Sequence, residues 1–320
     1  MSYRELSRPA CKLSIVVPCY NEQDVLPEAV SRLVALLTGM AQRGRIGPES
    51  GVWLVDDGST DATWECIRTA ARQDARIHGV RLSRNRGHQN ALLAGLERAT
   101  GDAIVTIDAD LQDDITVIEK MVELGIGGCD IVYGVRQSRT TDTRLKRMSA
   151  ELYYSLLARM DVEVVFNHAD YRLMSRRALD ALGRYSEVNL FLRGIIPQLG
   201  FMTATVPYDR AERFAGESKY SMRKMLSLAI NGVTSFSVMP LRLIAVLGLL
   251  ICLFSVAMVL RVLYGTLVLH DVIPGWASSV IPIYFLGGVQ LLSIGVIGEY
   301  VGKIYLETKR RPRFLIQEEV

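Results

Sequence analysis

The chain has 320 residues, with 37 Lys and Arg against 34 Asp and Glu and a formal net charge of +3, a near-balance from which no nucleic-acid partner is expected. Hydrophobic residues make up 49% of it but are unevenly spread: up to about residue 235 it reads as a soluble α/β protein, and beyond that two long apolar stretches dominate. The cysteines (11, 19, 66, 129 and 252) are odd in number and lack Cys-x-x-Cys spacing, which excludes a zinc centre or disulfide framework and fits a reducing compartment.

Met1 to Lys12 is polar and charged, so no secretory signal is expected. The first predicted strand covers 13–17 and runs into the polar turn Pro18-Cys19-Tyr20-Asn21-Glu22 ahead of a helix. The second, 52–56, has the same design: an apolar run, then Asp56-Asp57-Gly58-Ser59-Thr60-Asp61, with Thr60 or Asp61 capping the next helix. Strands follow near 77–82, 103–108 and 130–134, with helices between them, and shorter ones are expected at 171–174 and 203–208. Arg139 to Thr143 reads as a polar loop before a helix from about Arg144 to Met160. This alternation predicts an α/β fold, a Rossmann-like and mainly parallel sheet covered on both faces, with polar residues at the carboxyl ends of the strands, where such sheets open a ligand crevice.

The most telling stretch is Asp108-Ala109-Asp110-Leu111-Gln112, at the end of the apolar run Ala103 to Ile107. On an extended segment residues i and i+2 point the same way, so both carboxylates can face one cation. Hard oxygen ligands suit Mg2+ or Mn2+, which keep several waters and are shared with substrate phosphates. Acids in place of a glycine cradle suggest a nucleotide gripped through base and ribose, its diphosphate left to a metal. The absence of Gly-x-Gly-x-x-Gly after the first strand excludes a nicotinamide dehydrogenase.

Toward the C-terminus, Met222, Met225, Leu226, Ala229, Ile230, Val233 and Phe236 recur at helical spacing behind Lys219, Arg223 and Lys224. This is read as an amphipathic helix lying on lipid headgroups; packing on the soluble domain is the other reading. Leu243 to Leu260 and Val280 to Gly298 carry no charge, and each approaches the roughly 20 apolar residues that a membrane-crossing helix needs. Arg242 precedes the first, and Lys303, Lys309, Arg310, Arg311 and Arg313 follow the second, whereas the loop from Tyr264 to Ser279 has neither Lys nor Arg. The positive-inside bias puts both ends in the cytoplasm, with Arg261 dissenting. The expected domains are 1–218 (catalytic), 219–238 (juxtamembrane helix) and 239–320 (two transmembrane helices and a basic tail), in the cell's inner membrane with the catalytic domain cytoplasmic.

Pro18-x-Tyr20-Asn21-Glu22, Asp56-Asp57-Gly58-Ser59-x-Asp61 and Asp108-Ala109-Asp110-Leu111-Gln112 together resemble the signature set of family 2 glycosyltransferases of the GT-A fold. Within that family the chain is most similar to the polyprenyl-phosphate enzymes, the bactoprenol glucosyltransferases and dolichol-phosphate mannose synthases. The likeness extends to Asp170-Tyr171-Arg172-Leu173-Met174, Arg213-Phe214-x-Gly216-x-Ser218-Lys219 and Gly295-Val296-Ile297-Gly298-Glu299-Tyr300.

The resemblance implies metal contacts from Asp110 and Gln112, with Pro18, Tyr20, Glu22, Asp57 and Asp108 around the nucleotide. It also implies that Arg213 and Lys219 belong to a loop closing over the donor diphosphate. Arg136, Lys146 and Arg147 match residues that hold lipid phosphate, and Asp170 matches an acid near the reaction centre that orients acceptor or sugar or acts as a base. The reaction implied is inverting transfer of a hexose from a nucleotide sugar to polyprenyl (undecaprenyl) phosphate. UDP-glucose is the first donor; GDP-mannose, a UDP-N-acetylhexosamine or a modified arabinose are the alternatives. The expected partners are therefore nucleotide sugar, lipid and membrane, and a homo-oligomer such as a tetramer.

A polysaccharide synthase would carry Gln-x-x-Arg-Trp, and none of the three Trp residues stands in that context. A non-catalytic membrane-tethered module is the remaining alternative, opposed by the intact Asp108, Asp110 and Gln112. His88 and His168 lie near the predicted loops but, with no partner in sequence, read as structural histidines.

Overall fold

The computed structural model describes residues 11–136, 168–187, 192–209, 239–264 and 275–320. The first strand, β1 (Leu13–Cys19), is buried along its whole length, as a β-branched run covered on both faces should be. Helix α1 (Leu26–Gln42) leads to β2 (Gly51–Asp56), α2 (Thr63–Gln73) to β3 (Ile77–Leu82), and α3 (His88–Arg98) to β4 (Ala103–Thr106). Then come α4 (Val117–Ile126), β5 (Ile131–Arg136), β6 (His168–Ser175), α5 (Arg176–Leu182), α6 (Leu192–Gln198) and β7 (Thr203–Tyr208). Two long helices, α7 (Met239–Tyr264) and α8 (Trp276–Thr308), precede a last strand, β8 (Ile316–Glu319).

All eight strands form one sheet in the order β7-β5-β6-β4-β1-β2-β3-β8. The pairs β4-β1, β1-β2, β2-β3 and β5-β7 are parallel, as the sequence pattern predicts. Tyr171 to Met174 does join the sheet, but β6 runs antiparallel between β4 and β5. One core packs α1, α2 and α4 on one face of the sheet, and a second packs α3, α5 and α6 on the other.

The C-terminal tail departs from its sequence reading as a basic segment, because its last residues return to the sheet. β8 lies antiparallel beside β3, with Gly79 N–H donating to Val320 O at 2.8 Å and Val320 N–H to Gly79 O at 3.0 Å. Trp64 Nε1 donates to Glu318 Oε2 at 3.0 Å, and Arg313 donates to the backbone carbonyls of Tyr185 and Glu187. The tail thereby covers an edge that would otherwise offer unpaired backbone groups.

Among the described residues one stretch, Phe285–Thr308 within α8, is long and apolar enough to cross a membrane, and none of its apolar window is buried. The apolar part of α7, Leu243–Met258, is shorter. The predicted interfacial helix at 219–238 and the helix at 144–160 lie outside the described residues.

Close packing of α3 on the sheet depends on Gly95, where an added Cβ would lie 2.4 Å from Val16 Cγ1 and 2.7 Å from Val55 Cγ2. Gly95→Ala should therefore lower stability by about 1–3 kcal/mol despite alanine's better helix propensity. Urea unfolding of wild type and variant checks this; an equal or higher midpoint would show that the helix stands off the sheet.

Candidate active site

The parallel register aligns the carboxyl ends of β1, β2 and β4. Cys19 pairs with Asp56 and Val16 with Thr106, so the turns that follow these strands leave the same edge. They are also bonded to one another. Asn21 N–H donates to Ser59 Oγ at 3.0 Å, Glu22 N–H to Thr63 Oγ1 at 2.9 Å, and Thr60 N–H to Asn21 Oδ1 at 2.9 Å. Gly58 has φ +67°, and a Cβ there would lie 2.6 Å from Arg84 C, so the β3–α3 loop can approach the β2 turn only over glycine. Asn21 (φ 54°) and Leu111 (φ 55°) are non-glycine residues held in the left-handed region, a costly conformation that concentrates at functional turns.

Beneath these turns lies a cleft of about 430 Å³. Pro18, Tyr20, Glu22, Asp57, Asp108, Asp110 and Asp170, all singled out in the sequence, line it. Asp108 and Asp110 do not reach it by strand alternation, because β4 ends at Thr106 and the motif forms a turn. Asp57 is partly committed within the protein: Oδ1 accepts from Arg86 N–H at 2.7 Å and Oδ2 from Gly87 N–H at 2.9 Å, which secures the β3–α3 loop. Burial pushes its carboxyl up, against the pull of those two bonds. Asp56, by contrast, is fully buried, lies 3.3 Å from Arg81 Nε, and does not line the cleft.

Gln112 sits just past the lining, its backbone N–H donating to Asp110 Oδ1 at 3.2 Å. Among the described residues no three His, Cys, Asp or Glu side chains converge into an all-protein metal cage. One carboxylate with a neighbouring amide oxygen is nevertheless the donor set that Mg2+ or Mn2+ accepts when water and substrate phosphates supply the remaining ligands, so the residues fit such an ion.

Arg136 closes β5 outside the lining, 3.7 Å from Asp113 Oδ1 and donating through Nε to Tyr208 Oη at 3.3 Å. Lys146, Arg147, Arg213 and Lys219 lie outside the described residues.

Of the lining residues not read as site residues from the sequence, His88 and Arg193 are the two that can carry positive charge. His88, taken there for a structural histidine, opens α3 with Nε2 at 3.3 Å from Asp170 Oδ2 and 3.7 Å from Asp108 Oδ1. The Asn85-Arg86-Gly87-His88 turn repeats the strand, polar turn, helix design of the first two motifs, and that signal could have found it. Arg193, on a short helix far along the chain, carries no such signal.

Asp170 is the hub of a buried ion cluster. Oδ1 accepts from Arg172 Nη2 at 2.5 Å and Arg193 Nε at 3.2 Å, and Oδ2 from Arg193 Nη2 at 3.0 Å. Burial opposes its charge, yet Arg193, His88 and Arg172 together hold the carboxyl well below its usual range, so it is a poor base at neutral pH. For His88, burial again opposes the charge, but the Asp170 bond and the Asp108 carboxylate prevail and raise it to about 8. Burial lifts Asp108 above the usual carboxylate range, against the pull of His88.

The fold, with an acid-lined cleft at the carboxyl ends of parallel strands, is that of an open α/β protein whose ligand crevice lies at the strand ends. The chain belongs to glycosyl transferase family 2, whose model matches residues 14–183, and it is a glycosyltransferase. It is 47% identical over 306 residues to an uncharacterized glycosyltransferase, YkoT, of Bacillus subtilis, covering 95% of this chain and 90% of that one. It is 40% identical over 308 residues to the bactoprenol glucosyl transferase of Shigella phage SfX, covering 96% and 99%. Mannosyl-3-phosphoglycerate synthase from Rubrobacter xylanophilus superposes with a TM-score of 0.49 at 16% identity, over 69% of this chain and 71% of that one.

Two outcomes follow from the ion cluster. Asp170→Asn strands Arg172, only 1% exposed, without its counter-charge, and should cost about 3–5 kcal/mol in urea unfolding. The fold also holds the His88 proton more tightly than the unfolded chain does. Its stabilising contribution is therefore complete below pH 6.5 and is lost as pH rises to about 8. Urea midpoints measured across that window should fall less steeply for His88→Gln than for wild type; equal slopes would refute the pairing.

Proposed function

We propose that this glycosyltransferase moves a hexose from a nucleotide sugar, UDP-glucose first among the candidates, to polyprenyl phosphate at the cytoplasmic face of the inner membrane. The observation that carries the reading is the acid-lined cleft, in a chain 40% identical across 96% of its length to a bactoprenol glucosyl transferase. GDP-mannose, a UDP-N-acetylhexosamine and a modified arabinose remain the alternative donors, since epimeric hexoses differ by one hydroxyl.

In this reading Pro18, Tyr20, Glu22, Asp57 and Asp108 bind the nucleotide, and Arg213 and Lys219 close over it. Arg136, Lys146 and Arg147 hold the acceptor phosphate. Asp110 with Gln112 would hold Mg2+ or Mn2+, which supplies Lewis-acid neutralisation of the departing diphosphate. The nucleophile is a lipid phosphate oxygen, already ionised at neutral pH, so no strong base is needed. In-line attack on the anomeric carbon inverts it and gives a polyprenyl-phosphate-linked sugar. The low proton affinity of Asp170 fits an orienting group better than a base.

A catalytic unit over 1–218, a juxtamembrane helix over 219–238 and a two-helix membrane region over 239–320 suit a lipid acceptor. The tail strand supports that arrangement. The chain leaves the sheet at Tyr208 and rejoins it at Ile316, so any membrane between those points is crossed an even number of times. With α8 long enough to span, α7, which contacts it, is the natural second crossing.

Transfer from radiolabelled sugar nucleotides to undecaprenyl phosphate in detergent tests the reaction. One labelled, organic-extractable lipid should form only with Mg2+ or Mn2+, and Asp110→Asn should reduce it at least about 100-fold. No lipid product with any donor, from folded protein, sinks the acceptor assignment. For the topology, a cysteine placed at His270 should react with impermeant maleimide on intact cells, and one at Lys309 only after permeabilisation. Labelling of both from outside would refute the hairpin.

A further inference from the structure

The cleft described above is unusually acidic for the substrates assigned to it. Glu22, Asp57, Asp108, Asp110 and Asp170 all line it, whereas a nucleotide diphosphate and a lipid phosphate are both anions. One divalent ion offsets two charges at most, so cationic side chains facing the cleft matter. Among the described lining residues these are His88 and Arg193. Arg193 is committed to Asp170, with bonds of 3.2 Å from Nε and 3.0 Å from Nη2.

His88 is differently placed. Its side chain is 39% exposed at the cleft, and Nε2 is held on one side by Asp170 and Asp108. Nδ1 has no protein partner among the described residues. The backbone under it is secured by the Asp57 bonds to Arg86 and Gly87 N–H, and Gly87 turns into α3 at φ +88°. Asp170, itself pinned by Arg172 and Arg193, thus holds Nε2 in the manner of a carboxylate-oriented histidine and leaves Nδ1 as the ring's remaining donor in a side chain that lines the cleft. The ring also stands at the N-terminal end of an 11-residue helix, whose dipole favours an anion there.

We infer that His88 is a substrate-contacting residue that donates from Nδ1 to a phosphate oxygen in the cleft, either of the donor's diphosphate or of the acceptor's phosphate monoester. The inference rests on reading the cleft as a nucleotide-sugar site, and it adds a protein cation to a reaction otherwise left to the metal. No proton need be transferred: the contact stabilises phosphate charge in place, and the bonds made and broken are those of the glycosyl transfer.

The test compares wild type, His88→Gln and His88→Arg, purified in detergent with Mg2+. UDP-glucose and undecaprenyl phosphate are varied separately, and UDP binding is measured by titration calorimetry. Thermal unfolding confirms that each variant is folded. The glutamine variant should lose about 10–100-fold in kcat/KM, the range for one hydrogen bond to a charged group, and arginine, which keeps a cation, should recover part of it.

Weaker UDP binding together with the loss assigns the contact to the donor diphosphate. Unchanged UDP binding with a raised KM for undecaprenyl phosphate assigns it to the acceptor. Kinetics and UDP affinity within about twofold of wild type in both variants overturn the inference, as does a loss that arginine does not relieve at all. Should wild type make no lipid-linked sugar, the acceptor reading fails on its own account. UDP binding then decides His88: weakening in the glutamine variant supports the donor contact, and no change overturns the inference.

Discussion

β1 lies between β2 and β4, parallel to both, and the cleft follows from that pairing. Because Cys19 stands opposite Asp56 and Val16 opposite Thr106, the turns 20–22, 57–61 and 107–112 emerge together at one edge of the sheet. A one-residue slip would swap the two faces of a strand buried along its whole length and move its turn out of line with the others. The hydrogen bonds between Asn21 and Ser59 and between Glu22 and Thr63 tie the first two turns together, and the bonds of Asp57 to Arg86 and Gly87 draw in the third loop, which carries His88. The strained backbone of Asn21 persists because this network over-determines it.

Charge is the second organising constraint. Carboxylates crowded into one cleft repel each other, and burial adds to that cost, so each needs a specific answer. Asp57 answers with backbone amides, and Asp170 with two arginines and a histidine, while Asp56, buried outside the lining, lies beside Arg81. The last arrangement places more cationic than anionic charge around one carboxylate. Asp170 and Asp108 favour the charged form of His88 at the wall of the cleft, against the repulsion of Arg193.

The C-terminal strand joins the two halves of the molecule. α7 and α8 expose apolar side chains over most of their length, in contrast to the buried faces of the sheet helices. β8 then returns the chain to β3, and Arg313 grips the turn at Tyr185 and Glu187, beyond which α6 carries Arg193. The end of the long apolar helix is thus anchored beside the carboxyl end of β3, on the same edge of the sheet whose strand ends build the cleft. The proposed function, which brings a lipid headgroup to a water-soluble donor, calls for that relation to be fixed.

Much of this was readable from residue order alone. Seven strands and the polar turns at their carboxyl ends follow from local signals, β-branched runs, turn formers and acids directly after a strand, whereas the seven lining residues from Pro18 to Asp170 are assigned to the site through the motifs' resemblance to the family. The tail strand was missed because Ile316 to Glu319 is short and charged, and it becomes a strand only through the partner edge that β3 offers. The antiparallel direction of β6 was likewise invisible, since direction belongs to the pairing and not to the segment. His88 and Arg193 show the same division most clearly. A histidine's role depends on which carboxylate faces it, and Asp170 lies far away along the chain. The sequence by itself determined the fold class, the family and the acidic character of the cleft, because those reside in local pattern and residue type. The tertiary structure alone decided which charges meet, since ion pairing is set by distances that folding creates between residues remote in the chain.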